Sequence, residues 1–534
     1  MRPLLTYLFV LCLSGPLFAK PNIVIIVADD LGYADMGFKG APIDTPSLDR
    51  LAEEGLELSR FYTAPICSPT RAALMTGRNP IRLGVAYSVI LPWDSGGVHT
   101  DERFMSEAFQ DAGYQTALFG KWHLGHAQQP FHPNARGFDH FYGHLHTETG
   151  YYPPYQLLGG VDFQRNGETI MEEGYETFLL ADRASEWIKQ RDPEKPFFLY
   201  LPFLAPHEPL QAPEALVEKY KDLKDERAAG RSPSDQVGGM FRAVIPSRRP
   251  LYAAVVDAMD QAIGRVLSTL DQEGLSEDTI VLFFSDNGAT RVPSRGGGDN
   301  APLRGGKAET YEGGIRVAAL MRWPARLPAG KEYPHMMAVM DVWPTLAAAT
   351  GVEVDAEFDL DGLNVLDGLL GLEPVRRDEP LVFGSEIPRY GSFNFAAIEQ
   401  RWKLVQFVEQ DLTQTRVRNE LYDLSQDLGE YNDVAPEHPQ LVERLANDIR
   451  RWRSLHPING VRARIAAPPG WRPPLDWASY PRHNDTLQEE PATSMAPNAA
   501  SEYLLDRMLD ERGRIIYNCE PPLWLGGYCN PLNR

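Results

Sequence analysis

Four apolar runs, each ending beside chemically active side chains, constrain this chain more than any other feature. Residues 22–28 (Asn-Ile-Val-Ile-Ile-Val-Ala) are an unbroken, largely β-branched run. Such a run suits a central strand of a parallel sheet covered on both faces, because a half-wet strand would alternate apolar with polar. Residues 115–119, 197–204 and 279–284 read as further strands. Just beyond the four lie Asp29-Asp30, Lys121-Trp122-His123, Pro206-His207 and Asp286-Asn287. Open α/β sheets bind ligands outside the carboxyl ends of their strands, which is where all four groups fall.

Helical segments separate these strands. Thr45 and Pro46 read as an N-cap and a first-position proline for a helix over residues 46–54, and Pro69 starts a second. Residues 106–112 and 175–190 are also helical in pattern. Residues 249–273 place Leu251, Val255, Met259, Ile263, Val266 and Leu270 at three-four spacing, as a long core-facing helix does. A last helix of the large domain is expected at 341–349, then a connector over 359–373. From about residue 378 the pattern changes to short strands at 381–383, 395–399, 403–407 and 420–423, with a helix at 440–452. That combination predicts a small antiparallel sheet packed by one helix. The fold class is α/β, with a catalytic domain over residues 20–378, an α+β subdomain over 379–456 and a proline-rich extension over 457–534.

Composition bears on location and partners. The start carries Arg2 and an apolar run of about ten residues, the length of a signal peptide and too short to span a bilayer. Cleavage after Ala19 is expected, and with it export to the periplasm or the exterior, leaving no membrane association. Of the four cysteines, Cys12 leaves with that segment, and Cys519 and Cys529 flank a short loop that reads as a local disulfide of an oxidising compartment. The formal net charge of −21 argues against nucleic acid or an anionic membrane as a partner. An anionic substrate would need a local cationic pocket. Residues 223–247 are charged and read as a surface loop.

Adjacent carboxylates such as Asp29-Asp30 repel one another unless a cation lies between them. Asp-Asp or Asp-Asn-Gly alone is an ordinary turn, but Asp286 and Asn287 would add hard oxygen ligands at a second strand end. Such a set suits calcium or magnesium rather than zinc. The stretch Cys67-Ser68-Pro69-Thr70-Arg71-Ala72-Ala73-Leu74-Met75-Thr76-Gly77-Arg78 makes no sense as core packing alone. It places Cys67 at a helix N-terminus, where the dipole and unpaired amides favour an anion.

Cys-x-Pro-x-Arg followed by Thr-Gly-Arg resembles the signature of the type I sulfatases, and the later motifs occur in that family's order over roughly residues 21–455. The resemblance implies an alkaline-phosphatase-like sandwich with a large mixed, mostly parallel sheet. It also implies oxidation of Cys67 to 3-oxoalanine (formylglycine) by a dedicated maturation enzyme, and one Ca2+ held by Asp29, Asp30, Asp286, Asn287 and the modified residue 67. In that family the hydrated aldehyde attacks sulfur, and its second hydroxyl, deprotonated with help from His123, expels sulfate. By the same resemblance Arg71 contacts those hydroxyls, Lys121 and Lys307 neutralise the sulfate, and His207 gives a proton to the leaving oxygen. Residues 311–316 resemble the strand that closes the sheet. His126, His132, His140, His144 and His146 are assigned a pocket-lining place and nothing more.

Three stretches outside the shared core, residues 88–92, 209–213 and 300–305, resemble the arylsulfatase B branch, the N-acetylgalactosamine-4-sulfatases. They imply a 4-sulfated N-acetylgalactosamine or a related galacto-configured unit, with a sulfated algal galactan as the alternative. The alternative readings are a phosphomonoester or phosphonate ester hydrolase of the same fold and an inactive sulfated-glycan-binding protein.

Overall fold

Strand Asn22–Ala28 sits at the middle of a ten-stranded sheet, with Phe197–Pro202 on one side and Thr279–Ser285 on the other, both parallel to it. Ile25 pairs with Tyr200 and with Leu282. Gln115–Lys121 and His140–His144 extend the parallel part beyond Phe197–Pro202. All seven residues of Asn22–Ala28 are buried. Ile23, Ile25 and Val27 enter one core with Ala72, Ala73 and Leu74 of helix Cys67–Thr76. Val24, Ile26 and Ala28 enter the other with Val255, Met259 and Ile263 of helix Arg249–Gln272. Both faces are therefore dry, the physical reason the run is unbroken; each aliphatic side chain so buried contributes about 1.5–3 kcal/mol.

The computed structural model describes residues 20–480 apart from 148, 154–158, 226–247, 292–295, 356, 388–391, 411–414, 458–459, 462–466 and 468–469. The expected signal segment, most of the 223–247 loop and the Cys519–Cys529 pair lie outside the described residues. The expected helices form within a residue or two of their predicted ends, at Pro46–Glu54, Met105–Asp111, Glu176–Gln190, Arg249–Gln272 and Val342–Thr350.

The segment after Lys307, residues 311–316, departs from expectation. Glu312–Ile315 is a short helix, and Arg316–Val317 joins Phe61–Tyr62 and Met337–Ala338 in a separate three-stranded sheet. The large sheet continues instead through Ala319–Arg322, antiparallel to Thr279–Ser285. Glycine makes this possible: a Cβ on Gly288 would stand 1.7 Å from the Gly313 carbonyl, so the turn after Thr279–Ser285 packs backbone to backbone on that helix.

The C-terminal subdomain is a four-stranded antiparallel meander of Leu381–Ile387, Ser392–Glu399, Trp402–Gln410 and Thr415–Asp423. Helix Pro439–Ser454 covers it with Leu445, Ala446, Ile449 and Trp452. Thr415–Asp423 starts five residues before its predicted beginning, because Arg416 and Arg418 lie exposed on an edge strand and carry no apolar alternation to read. Among the described residues beyond His456, Trp477 is fully buried against His126 and His146.

One buried charge cluster joins the C-terminal sheet to helix Glu312–Ile315. Lys403 Nζ is 2.9 Å from Glu312 Oε1 and 2.9 Å from Glu430 Oε1, with all three side chains fully buried. Lys403 is shared by the two carboxylates, and Arg316 lies 3.5 Å from Glu312. At Glu312 burial raises the pKa, but Lys403 and Arg316 outweigh it and the carboxyl is lowered. Burial pushes Glu430 up to about 7, despite Lys403, with Glu312 adding to the rise. The folded protein therefore binds more protons than the unfolded chain between the ordinary glutamate value of 4.5 and about 7. Stability from this group is present in full at the acid end of that window and lost as pH rises through it. Glu430→Gln is expected to escape that loss, so its melting temperature should gain on the wild type from about pH 5 to pH 8. Parallel melting curves across that range would show that Glu430 does not titrate there.

Candidate active site

The strand ends meet as the apolar runs foretell. Asp30 and His123, both just past their strands, adopt left-handed backbone (φ 68 and φ 61), a conformation that non-glycine residues hold only when their surroundings impose it. Helix Cys67–Thr76 begins at the cysteine itself, two residues earlier than Pro69, and ends at Gly77 with φ 67. All ten of its residues are buried. Ser68 Oγ donates to the His123 carbonyl at 2.9 Å, tying the helix to the strand end that carries Lys121.

Arg71 organises the carboxylates. Its Nη2 lies 3.2 Å from Asp29 Oδ2 and 2.9 Å from Asp286 Oδ2, and its Nη1 donates to the Lys121 carbonyl at 3.0 Å. Lys121 Nζ pairs closely with Asp29 and donates to Thr147 Oγ1 at 2.7 Å. Lys307 Nζ is 2.8 Å from the Asp30 carboxylate, and the Asn287 amide donates to Asp30 Oδ1 at 2.7 Å. Three buried carboxylates thus face three cations. Burial alone would raise Asp29, but Lys121, His207, Arg71 and Lys307 hold it well below the usual carboxylate range. Asp286 is pushed up to about 6 by burial and then by Asp29. Of the two carboxylates sharing the guanidinium, Asp29 is the more acidic because it also has Lys121.

Cys67 Sγ lies 3.4 Å from Asp29 Oδ1. Burial first, then Asp286 and Asp29, push its thiol pKa upward, so an unmodified Cys67 stays protonated and is a poor nucleophile here. His123 Nε2 faces the Ile90 carbonyl at 3.1 Å, and its buried Nδ1 has no hydrogen-bond partner. Burial, then Lys121, hold this imidazole neutral, well below the ordinary histidine range. His207 Nδ1 is 2.6 Å from the Glu208 carbonyl, leaving Nε2 toward Asp30 at 3.8 Å; burial, then Lys307, lower it to about 4.

The donor set fits a divalent cation. Ligand atoms of Asp29, Asp30, Cys67 and His207 all lie within 4.8 Å of one another, and Asn287 Oδ1 is buried without a hydrogen-bond partner. Asp286, expected among the ligands, lies outside this group with Oδ2 on Arg71, while its Oδ1 accepts from the Asp30 N–H at 3.3 Å; His207 stands within the group.

The sulfatase family model matches residues 21–352, well over half of the sequence. The chain belongs to the sulfatase family. It is a sulfuric ester hydrolase, and a second model, for the C-terminal part of N-sulphoglucosamine sulphohydrolase, matches residues 306–454. Arylsulfatase J of Mus musculus is 30% identical over 509 residues, spanning 87% of this chain and 79% of that protein. N-acetylgalactosamine-6-sulfatase of Homo sapiens is 35% identical over 373 residues, spanning 66% of each. Among solved structures, Ps i-CgsB in complex with k-i-k-neocarrahexaose superposes with TM-score 0.69 at 31% identity, covering 88% of this chain and 98% of that one. These relatives support the sulfatase assignment and the alkaline-phosphatase-like fold without singling out the 4-sulfatase branch.

Within this sulfatase, sequence reading missed Thr147, which holds the Lys121 ammonium. The preceding strand His140–His144 (His-Phe-Tyr-Gly-His) has neither an apolar run nor alternation, so its carboxyl end was not visible. Two of the flagged histidines belong to its support: His144 pairs with Glu176 at 3.0 Å, and His146 packs between His123 and His126.

Proposed function

We propose that this sulfatase removes sulfate from a galacto-configured unit of a sulfated glycan, with 4-sulfated N-acetylgalactosamine as the first candidate. The observation that carries the reaction is the meeting of Arg71, Lys121 and Lys307 with Cys67 at a helix N-terminus, inside a chain of net charge −21. With their charges balanced by Asp29, Asp30 and Asp286, these three cations would make the local cationic pocket that an anionic ester requires once a divalent ion is bound. Formylglycine at position 67 and a calcium ion held by Asp29, Asp30, Asp286 and Asn287 would supply the attacking oxygen and the Lewis acid. Because three carboxylates already face three cations, a divalent ion adds positive charge that offsets the ester. Charge stabilisation of this kind is usually the largest single contribution to catalysis.

The chain's own groups divide the remaining work. Lys121 and Lys307 take the sulfate oxygens, and Arg71 holds Asp29 and Asp286 in place. His123 Nδ1, neutral and unpartnered, takes a proton at position 67. His207 delivers a proton from Nε2 to the leaving oxygen; the free site keeps it neutral, so its acid form belongs to the complex with the anionic ester. Maturation by a formylglycine-generating enzyme and export past residues 1–19 are parts of the same proposal. Among the described residues no helix is long and apolar enough to cross a membrane.

The galacto preference draws on residues 88–92, 209–213 and 300–305, on the relative named for N-acetylgalactosamine, and on the structure solved with a neocarrahexaose. Sulfate release from a panel of 4-sulfated and 6-sulfated N-acetylgalactosamine, carrageenan-type oligosaccharides and N- or 6-sulfated glucosamine tests it. The 4-sulfated sugar is expected to be the best substrate. Preference for the 6-sulfate would move the ester position and keep the sugar, whereas release from glucosamine esters alone would refute the sugar. Turnover of an aryl phosphate above an aryl sulfate would refute the choice of ester.

A further inference from the structure

We infer that the C-terminal antiparallel sheet sets the Lys307 ammonium in the active site through the side-chain amide of Asn394. The inference rests on the reading of Lys307 as a sulfate-binding group and adds what holds that lysine. Lys307 lies in residues 303–311, which contain no helix or strand, so no regular backbone ladder fixes it. The next residue, Ala308, has φ 70, a left-handed conformation that a Cβ disfavours. That turn needs an external hold.

Asn394, on strand Ser392–Glu399 and 1% exposed, supplies one. Its Oδ1 accepts from the Thr310 N–H at 2.8 Å, and its Nδ2 donates to the Ala308 carbonyl at 3.3 Å. The same Nδ2 lies 3.4 Å from the Ser385 carbonyl on the neighbouring strand, so the amide is anchored in the sheet it reaches out from. On the opposite side Lys307 N–H donates to the Ala289 carbonyl at 3.1 Å and Ala308 N–H to the Pro65 carbonyl at 2.7 Å. The loop is therefore gripped between the two domains. Further out, Arg304 donates to Tyr422 Oη at 3.0 Å and Tyr311 Oη to Glu420 Oε2 at 2.6 Å, so the sheet also holds both ends of the loop. Asn394 does not belong to the group around position 67; it is a positioning residue acting through the backbone next to Lys307. A misplacement of about 1 Å at a charge-stabilising group is enough to cost on the order of a hundredfold in rate.

The test uses the matured full chain with an aryl sulfate. Asn394→Ala is expected to lower kcat by roughly ten- to a hundredfold with a smaller change in KM. The loss should not multiply in the double variant with Lys307→Ala, because both remove the same interaction. Ala308→Gly, which removes the Cβ that disfavours the turn, should recover at least about threefold of the kcat lost in Asn394→Ala, an effect a merely structural role would not produce. If Asn394→Ala does not accumulate, Asn394→Asp keeps the acceptor for Thr310 and loses the donor to Ala308, and should show the same pattern at smaller size. Wild-type kcat in the Asn394 variants, multiplicative losses with Lys307→Ala, or no recovery by Ala308→Gly overturns the inference. Wild-type kcat in Lys307→Ala alone removes Lys307 from the reaction, a separate failure of the underlying reading that takes this inference with it.

Discussion

Cys67→Ala is expected to lower kcat on an aryl sulfate by about ten-thousandfold or more while leaving the melting temperature within a few degrees of the wild type. The side chain is small and fully buried, and the helix it begins is anchored independently by Ser68 to the His123 carbonyl and by Arg71 to the Lys121 carbonyl. The fold therefore has little to lose at this position. The reaction loses its attacking atom. The partner measurement is the mass of the peptide carrying position 67 from exported protein, expected to report formylglycine rather than cysteine. A thiol at full occupancy in an active preparation would contradict the proposed nucleophile, because burial and the neighbouring Asp286 and Asp29 raise the thiol pKa and keep it protonated. Wild-type turnover in Cys67→Ala would do the same from the other side.

Asp286→Ala is expected to lose bound calcium and turnover together, with kcat down by about a thousandfold. Two separate effects lie behind that size. The substitution takes one hard oxygen from the proposed cation site, and it leaves Arg71, 1% exposed, with Asp29 as its nearest remaining carboxylate. Two carboxylates are then left for three buried cations, an imbalance that costs several kcal/mol, so the melting temperature should also fall, unlike that of Cys67→Ala. Metal content by elemental analysis, set beside activity before and after exhaustive chelation, makes the comparison. Full activity in the chelated wild type, or stoichiometric zinc in place of calcium, would rule out the proposed cofactor.

What was legible in the sequence is what neighbouring residues decide. The four strands announced themselves because burial on both faces demands an unbroken apolar run, and the residues just beyond each run were at once the candidates for chemistry. Helix ends followed from proline and periodicity, and the Cys67 motif, read through its resemblance, pointed to the reaction. Tertiary structure decided whatever depends on residues far apart along the chain. Strands of two or three residues, such as Arg316–Val317 and Leu56–Leu58, are too short to carry a period and exist because of what they pair with. Asp286 faces Arg71 across 215 residues, and Lys307 reaches Asp30 across 277. Neither pairing has a local signature. Gly288 reads as an ordinary turn glycine until the fold presses its backbone against that of Gly313. Asn394, 84 residues from the Thr310 N–H it accepts from, looks like any polar residue in a strand. Only the packing of the C-terminal sheet on the lysine loop gives it a partner, because a side-chain amide pins a backbone only where the whole chain brings the two within about 3 Å.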